Sequence, residues 1–315
     1  MFDIFQYSFI QNAFLAGSLV AVVAAIVGYF LVVRGLTFAG HALSHIGFAG
    51  AAGAVLLGVD PIVGLLLFTI GASIGIGLLG KEIRERDIAI GVIMTFTLGL
   101  GLLFLSLYSG YAERAYSILF GTILGISQAD VLVTALFGVL MIGILLTLFR
   151  PLLFSSFDPE VAQARGVPVR LLGIVFLILV AFTVSMSVQV VGVLLIFTLL
   201  VGPAATANRI VSSPLWALVI AIALGLSYTW LSIFLAATGT WPVSFYIAAL
   251  SFGVYFPVRL LSPLWRKQRG TAQVKDASKR NPALSTDMTV AGEQGTEAEA
   301  LGRIQGLTRQ EELPC

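Results

Sequence analysis

Charge is what this chain has least of. Only 11% of its 315 residues are Asp, Glu, Lys or Arg, while 58% are hydrophobic. Soluble domains carry about 25% charged residues, so a water-facing fold of this length would lack the polar side chains to cover it. The mean hydropathy of +1.00 points to a bilayer as the solvent. Cysteine is almost absent: the one thiol is Cys315, which excludes an intrachain disulfide and gives no clue to redox compartment. Met1–Gln6 contain no Lys or Arg. A cleaved secretory signal needs a basic start, so the first apolar run is expected to stay as a membrane span.

What is present in quantity is long apolar runs. A spanning helix needs about 20 mostly apolar residues. That window predicts nine spans, near Phe9–Val33, Thr37–Leu57, Pro61–Leu79, Ile88–Tyr108, Ala129–Phe149, Pro168–Met186, Val188–Ala207, Pro214–Ala237 and Trp241–Leu261. Only Ser185-Met186-Ser187 separates the sixth from the seventh. Tyr111–Gln128 reads as a short half-buried or surface helix. The fold class is therefore all-α, a polytopic transmembrane bundle. Glycines at 47, 50 and 53 in the second span and at 71, 75, 77 and 80 in and after the third let backbones approach closely in lipid, a sign of dense packing.

Basic residues alternate with the spans. One set of connections holds Arg34; Lys81, Arg84 and Arg86; Arg150, Arg165 and Arg170; Arg209; and Arg259, Arg266, Lys267 and Arg269. The other holds Arg114 alone, beside Glu113. The positive-inside rule then puts the N-terminus outside and the C-terminus in the cytoplasm. Residues 1–265 form the membrane domain. From about Gly270 aromatics vanish and polar residues dominate, a composition that buries too little apolar area to offset ordering entropy, so residues 266–315 are expected to be a disordered cytoplasmic tail.

Histidine is nearly as scarce as cysteine. The only two are His41 and His45, in Gly40-His41-Ala42-Leu43-Ser44-His45. The i, i+4 spacing puts them on one helix face. With a helix start near Thr37, they lie about 6 Å and 12 Å in, at about 1.5 Å per residue. Ionisable side chains inside a membrane mark pathways by default, and neutral imidazole is a common metal ligand. Hydrogen bonding to neighbouring helices is the plainer alternative. A zinc protease is excluded, because His-Glu-x-x-His needs a Glu where Ala42 stands.

Gly75-Ile76-Gly77-Leu78-Leu79-Gly80-Lys81-Glu82 resembles a phosphate-binding loop, but Glu82 replaces the Ser or Thr that holds magnesium and no strand precedes it. The chain is thus expected not to hydrolyse ATP on its own, and no enzymatic activity is expected of it. In the connection after the fifth span, Asp158 precedes Pro159 as an N-cap with Pro at the first helical position, and Gly166 can end the helix about two turns on. A connector and a docking element fit that pattern equally. Pro203, in Gly202-Pro203-Ala204-Ala205-Thr206-Ala207, breaks the backbone bonding of its span. This serves a structural kink as well as a transport pathway.

Taken in order, Gly40–His45, Glu85-Arg86-Asp87-Ile88-Ala89-Ile90-Gly91, Phe157-Asp158-Pro159-Glu160-x-Ala162-x-x-x-Gly166 and Gly202–Ala207 resemble the zinc/manganese/iron permease family of ABC importers over residues 10–260. The resemblance implies a fold similar to vitamin-B12-type importer permeases in the plasma (inner) membrane. It implies a homodimer of permease copies, a cytoplasmic ATPase dimer and an extracytoplasmic metal-binding protein as partners, with no nucleic acid and no cofactor beyond the transported divalent ion. It implies that His41 and His45 contact the metal, that Asp158, Glu160, Ala162 and Gly166 belong to the ATPase-coupling helix, and that Pro203 kinks a pathway helix. The family often has Asp where this chain has His41. The richer nitrogen donor set suits zinc better than manganese, so zinc is the expected cargo, with manganese or iron as alternatives. An ion-coupled secondary transporter is disfavoured, since the predicted spans hold no Asp or Glu away from their ends. An intramembrane serine protease is disfavoured because Ser44 and His45 are adjacent and do not face each other.

Overall fold

The computed structural model describes residues 7–78, 83–108, 119, 121 and 123–280. Among them, nine helices of 18 residues or more follow the expected spans: α1 (Ser8–Val33), α2 (Thr37–Leu56), α3 (Pro61–Leu78), α4 (Ile83–Ser106), α5 (Gln128–Phe157), then, after the short α6 (Pro159–Ala164), α7 (Val169–Val191), α8 (Val193–Ile210), α9 (Pro214–Thr238) and α10 (Val243–Arg280). Seven contain a stretch long and apolar enough to cross a membrane. The exceptions are α2, whose hydropathy the two histidines and several glycines lower, and α8, whose apolar stretch is only Leu195–Ile210. The expected helix over Tyr111–Gln128 lies mostly outside the described residues; a 3-10 turn covers Ile123–Gly125.

Burial sorts the helices. The apolar windows of α1 and α7 are 72% and 67% buried, whereas those of α3, α4, α5 and α10 are 17–22% buried. α1 packs on α5, α7, α8 and α9. The outer helices turn side chains such as Phe96, Leu132, Leu136 and Val139 outward, the inverse of a soluble fold and the pattern a lipid solvent allows. Small residues let the backbones meet, as expected for the second span. Cβ atoms at Gly50 and Gly64 would run into each other's carbonyls across α2 and α3, and one at Gly53 would lie 3.1 Å from Phe104. The expectation does not extend to Gly71 and Gly75, which face open space. On the outer face of α3 no described helix needs their smallness. A hydrogen bond at 3.0 Å joins the Thr69 hydroxyl of α3 to the Ser185 hydroxyl of α7.

The break between the sixth and seventh spans lies later than the serines at 185–187 suggest. α7 runs on to Val191, and the chain turns at Gly192, with φ 86° and ψ 159°, a region essentially reserved for glycine. Ser185 and Ser187 are buried, and a serine hydroxyl can bond within its own helix, so serines need not end one. The β-branched run Val188, Val190, Val191, Val193 is stiff and helix-averse, and the glycine set in it is where the helix gives way.

The chain divides into two units, residues 1–259 and 260–315. The described part of the second is the end of α10, to Arg280, so the stretch after Gly270 begins as helix. The remainder of the expected tail, 281–315, lies outside the described residues.

Candidate metal pathway and docking helix

The first turns of α2 carry both histidines on one face. Their rings stand edge to face with centroids 4.6 Å apart. One ion holding each nitrogen at about 2.0–2.1 Å can bridge rings at that separation. His41 also packs on Phe197 of α8, with centroids 4.6 Å apart. Its Nδ1 is shut off from solvent and makes no hydrogen bond among the described residues. A buried nitrogen left without a partner is costly, and a cation removes the cost. Hydrogen bonding to neighbouring helices, the plainer reading of the pair, finds no support at that atom. Ser44 does not join the site: it is buried and its hydroxyl donates to the Gly40 carbonyl at 3.2 Å.

No group of three or more His, Cys, Asp or Glu able to hold a metal occurs among the described residues. The chain thus contributes two imidazole nitrogens from one helix turn, with Phe197 bracing one of them. Phe197 was not apparent from the sequence: an aromatic in an apolar span carries no mark of what it stacks on. Pro203 lies within α8, which continues through it to Ile210, two turns beyond Phe197. The glycine-rich stretch with Lys81 and Glu82 begins inside α3, and residues 79–82 lie outside the described ones.

The docking candidate is built as its sequence suggests. The Asp158 carboxylate accepts from the Val161 amide at 3.0 Å, and Pro159 occupies the first turn. Ala162 is fully buried, whereas Glu160 is exposed. Gly166, at φ +82°, turns the chain so that Val167 N–H reaches the Ala162 carbonyl at 3.0 Å, a closure typical of helix ends. The Arg165 guanidinium lies 5.9 Å from the centre of the Phe154 ring on α5. The result is a one-and-a-half-turn helix tied at both ends to α5, with Glu160 facing out.

The family whose description is "ABC 3 transport family" matches residues 6–261. The manganese transport system membrane protein MntC of Halalkalibacterium halodurans is 32% identical over 206 residues, 65% of this chain and 70% of that protein. The manganese import system permease protein ScaB of Streptococcus gordonii is 33% identical over 73% of this chain and 83% of its own length. Among solved structures, PsaBC from Streptococcus pneumoniae in complex with Fab superposes with a TM-score of 0.73 at 27% identity, covering 81% of this chain and 92% of that one. A metal-chelate type ABC transporter in an inward-facing conformation superposes with a TM-score of 0.63 at 18% identity, which shows the shared fold.

Proposed function

The chain belongs to the ABC 3 transport family, and from that premise we propose that it moves manganese inward through a pathway that passes His41 and His45. It is the multi-pass membrane subunit of an ABC importer for divalent metal ions, and ATP is hydrolysed by a separate subunit. The observation that carries the pathway is the histidine pair, two imidazoles 4.6 Å apart with one nitrogen buried and unpartnered. Manganese is favoured by the names of the curated relatives, against the zinc expected from the sequence.

One observation favours zinc as a second reading. The pair offers nitrogen and no neighbouring carboxylate cluster among the described residues, and imidazole suits zinc where carboxylate suits manganese. Two ligands from one chain leave a four-coordinate ion half satisfied. A second copy of the chain, related by two-fold symmetry, would supply the same pair again.

The remaining partners are an ATPase dimer docked on α6 and an extracytoplasmic metal-binding protein. Sidedness follows the basic connections: Arg34, between α1 and α2, reaches Ser155 near the end of α5, so two members of the basic set of connections meet. The contact puts the two connections on one face, and the positive-inside rule is what assigns that face to the cytoplasm and the N-terminus to the outside of the plasma membrane. The test is uptake of labelled manganese and zinc by cells lacking their own high-affinity importers, supplied with this chain and its partners. Manganese uptake supports the primary reading, and zinc uptake alone supports the second. Uptake of neither refutes both.

A further inference from the structure

Arg34 sits between helices with no carboxylate among its described partners. Arg34 caps the C-terminal end of α1, where a positive charge meets the negative end of the helix dipole. Its described partners are a hydroxyl and a ring: Nη1 donates to Ser155 Oγ at 3.0 Å, and the guanidinium lies 5.6 Å from the centre of the Phe176 ring on α7. Ser155 and Phe176 are both buried. A cation that served only to orient the chain in the membrane would extend into the headgroups. This one is folded back against two helices, α5 and α7.

Its position in the chain gives the arrangement meaning. Ser155 follows Phe154, on which Arg165 at the end of α6 lies, and stands three residues before Asp158, whose carboxylate caps the start of α6. On the other side, Arg34 stands three residues before α2. The first turn of α2 is held to the end of α1: Leu36 N–H reaches the Leu31 carbonyl at 2.8 Å, and a Cβ at Gly40, next to His41, would lie 3.0 Å from Leu31. A continuous set of contacts thus runs from α6, through the end of α5 and Arg34, to the turn that bears His41.

We infer that Arg34, through Ser155, is a positioning residue that transmits movement of the docked α6 to the histidine-bearing start of α2. This rests on the reading of α6 as the ATPase dock. The link suits a switch because a guanidinium on a hydroxyl and an aromatic face is held by contacts weaker than a buried ion pair. It can be exchanged as the helices shift, while its buried partners, Ser155 and Phe176, keep it at the helix ends. Transmission through packed contacts requires an element that both sites bias, and on this inference that role falls to the α1–α2 turn.

The test uses the whole importer, permease with its ATPase and its extracytoplasmic metal-binding protein, in proteoliposomes supplied with manganese and with zinc. Arg34→Met and Ser155→Ala are compared with the wild type for three quantities: ATPase retained on purification, ATP hydrolysed, and metal taken up. The expected result is full retention of the ATPase, hydrolysis within about twofold of wild type, and uptake lowered about tenfold in Arg34→Met, the scale of a typical coupling between sites. Ser155→Ala keeps the arginine and all apolar packing, and is expected to shift the ratio of ATP hydrolysed to metal moved in the same direction by less. Arg34→Lys is expected to recover part of the uptake. An unchanged ratio in both Arg34→Met and Ser155→Ala, or hydrolysis and uptake falling in parallel, overturns the inference. A wild-type complex that hydrolyses ATP but moves no metal refutes the functional reading instead.

Discussion

Replacing Gly192 with alanine tests the helix break on which the placement of α8 depends. At φ 86° and ψ 159° a Cβ strains the backbone by about 1–3 kcal/mol. The break is also tightly packed: a Cβ at Gly121 would lie 2.6 Å from the Gly192 amide nitrogen, so the turn cannot relax outward without moving that neighbour. The variant either keeps the break and loses that stability, or joins α7 to α8 and rotates Phe197 away from His41. Gly143 in α5 supplies the control. It meets nothing within 4 Å, so alanine there gains about 0.5–1 kcal/mol of helix propensity. Thermal inactivation in detergent, followed by retention of soluble protein, should rank Gly143→Ala at or above wild type and Gly192→Ala below it. Metal uptake should fall only in Gly192→Ala. Equal stability and equal uptake in the two variants would refute the argument.

Gly50→Leu should destabilise by about 1–3 kcal/mol or more, the range of an overpacked core, because the α2 and α3 backbones touch at Gly50 and Gly64; the same inactivation assay reads it. Glu160→Arg reverses an exposed charge on α6 without touching its caps, so it should leave the fold intact and lower the ATPase recovered with the permease. Full recovery with undiminished transport would remove α6 from the docking surface. Truncation after Lys267 should preserve yield and uptake, since such a polar terminal segment adds little packing; loss of folded protein would contradict this.

The span positions were legible because long apolar runs and alternating basic connections are written into composition. α1 to α3 begin and end within a residue or so of where the runs do. The short helix α6 was legible too, since Asp158, Pro159 and Gly166 are local signals that act through their own backbone. The histidine pair followed from spacing alone. Three features were not legible, all of them tertiary. Serine at 185–187 reads as a loop but lies inside a helix; the true break falls on one glycine in a valine run. Gly71 and Gly75 resemble Gly47 and Gly50 in sequence, yet only the latter pair meets a neighbour. The stacking of Phe197 on His41 and the bond from Arg34 to Ser155 join residues more than 100 positions apart, and no local pattern reports that.

The account stands most directly on the paired histidines, and the deciding measurement is uptake of labelled manganese and zinc by the double variant His41→Ala, His45→Ala in the complete importer. The account predicts uptake of both metals reduced to background, with membrane insertion and ATPase recovery unchanged. Uptake at the wild-type level would show that the ion does not pass these rings.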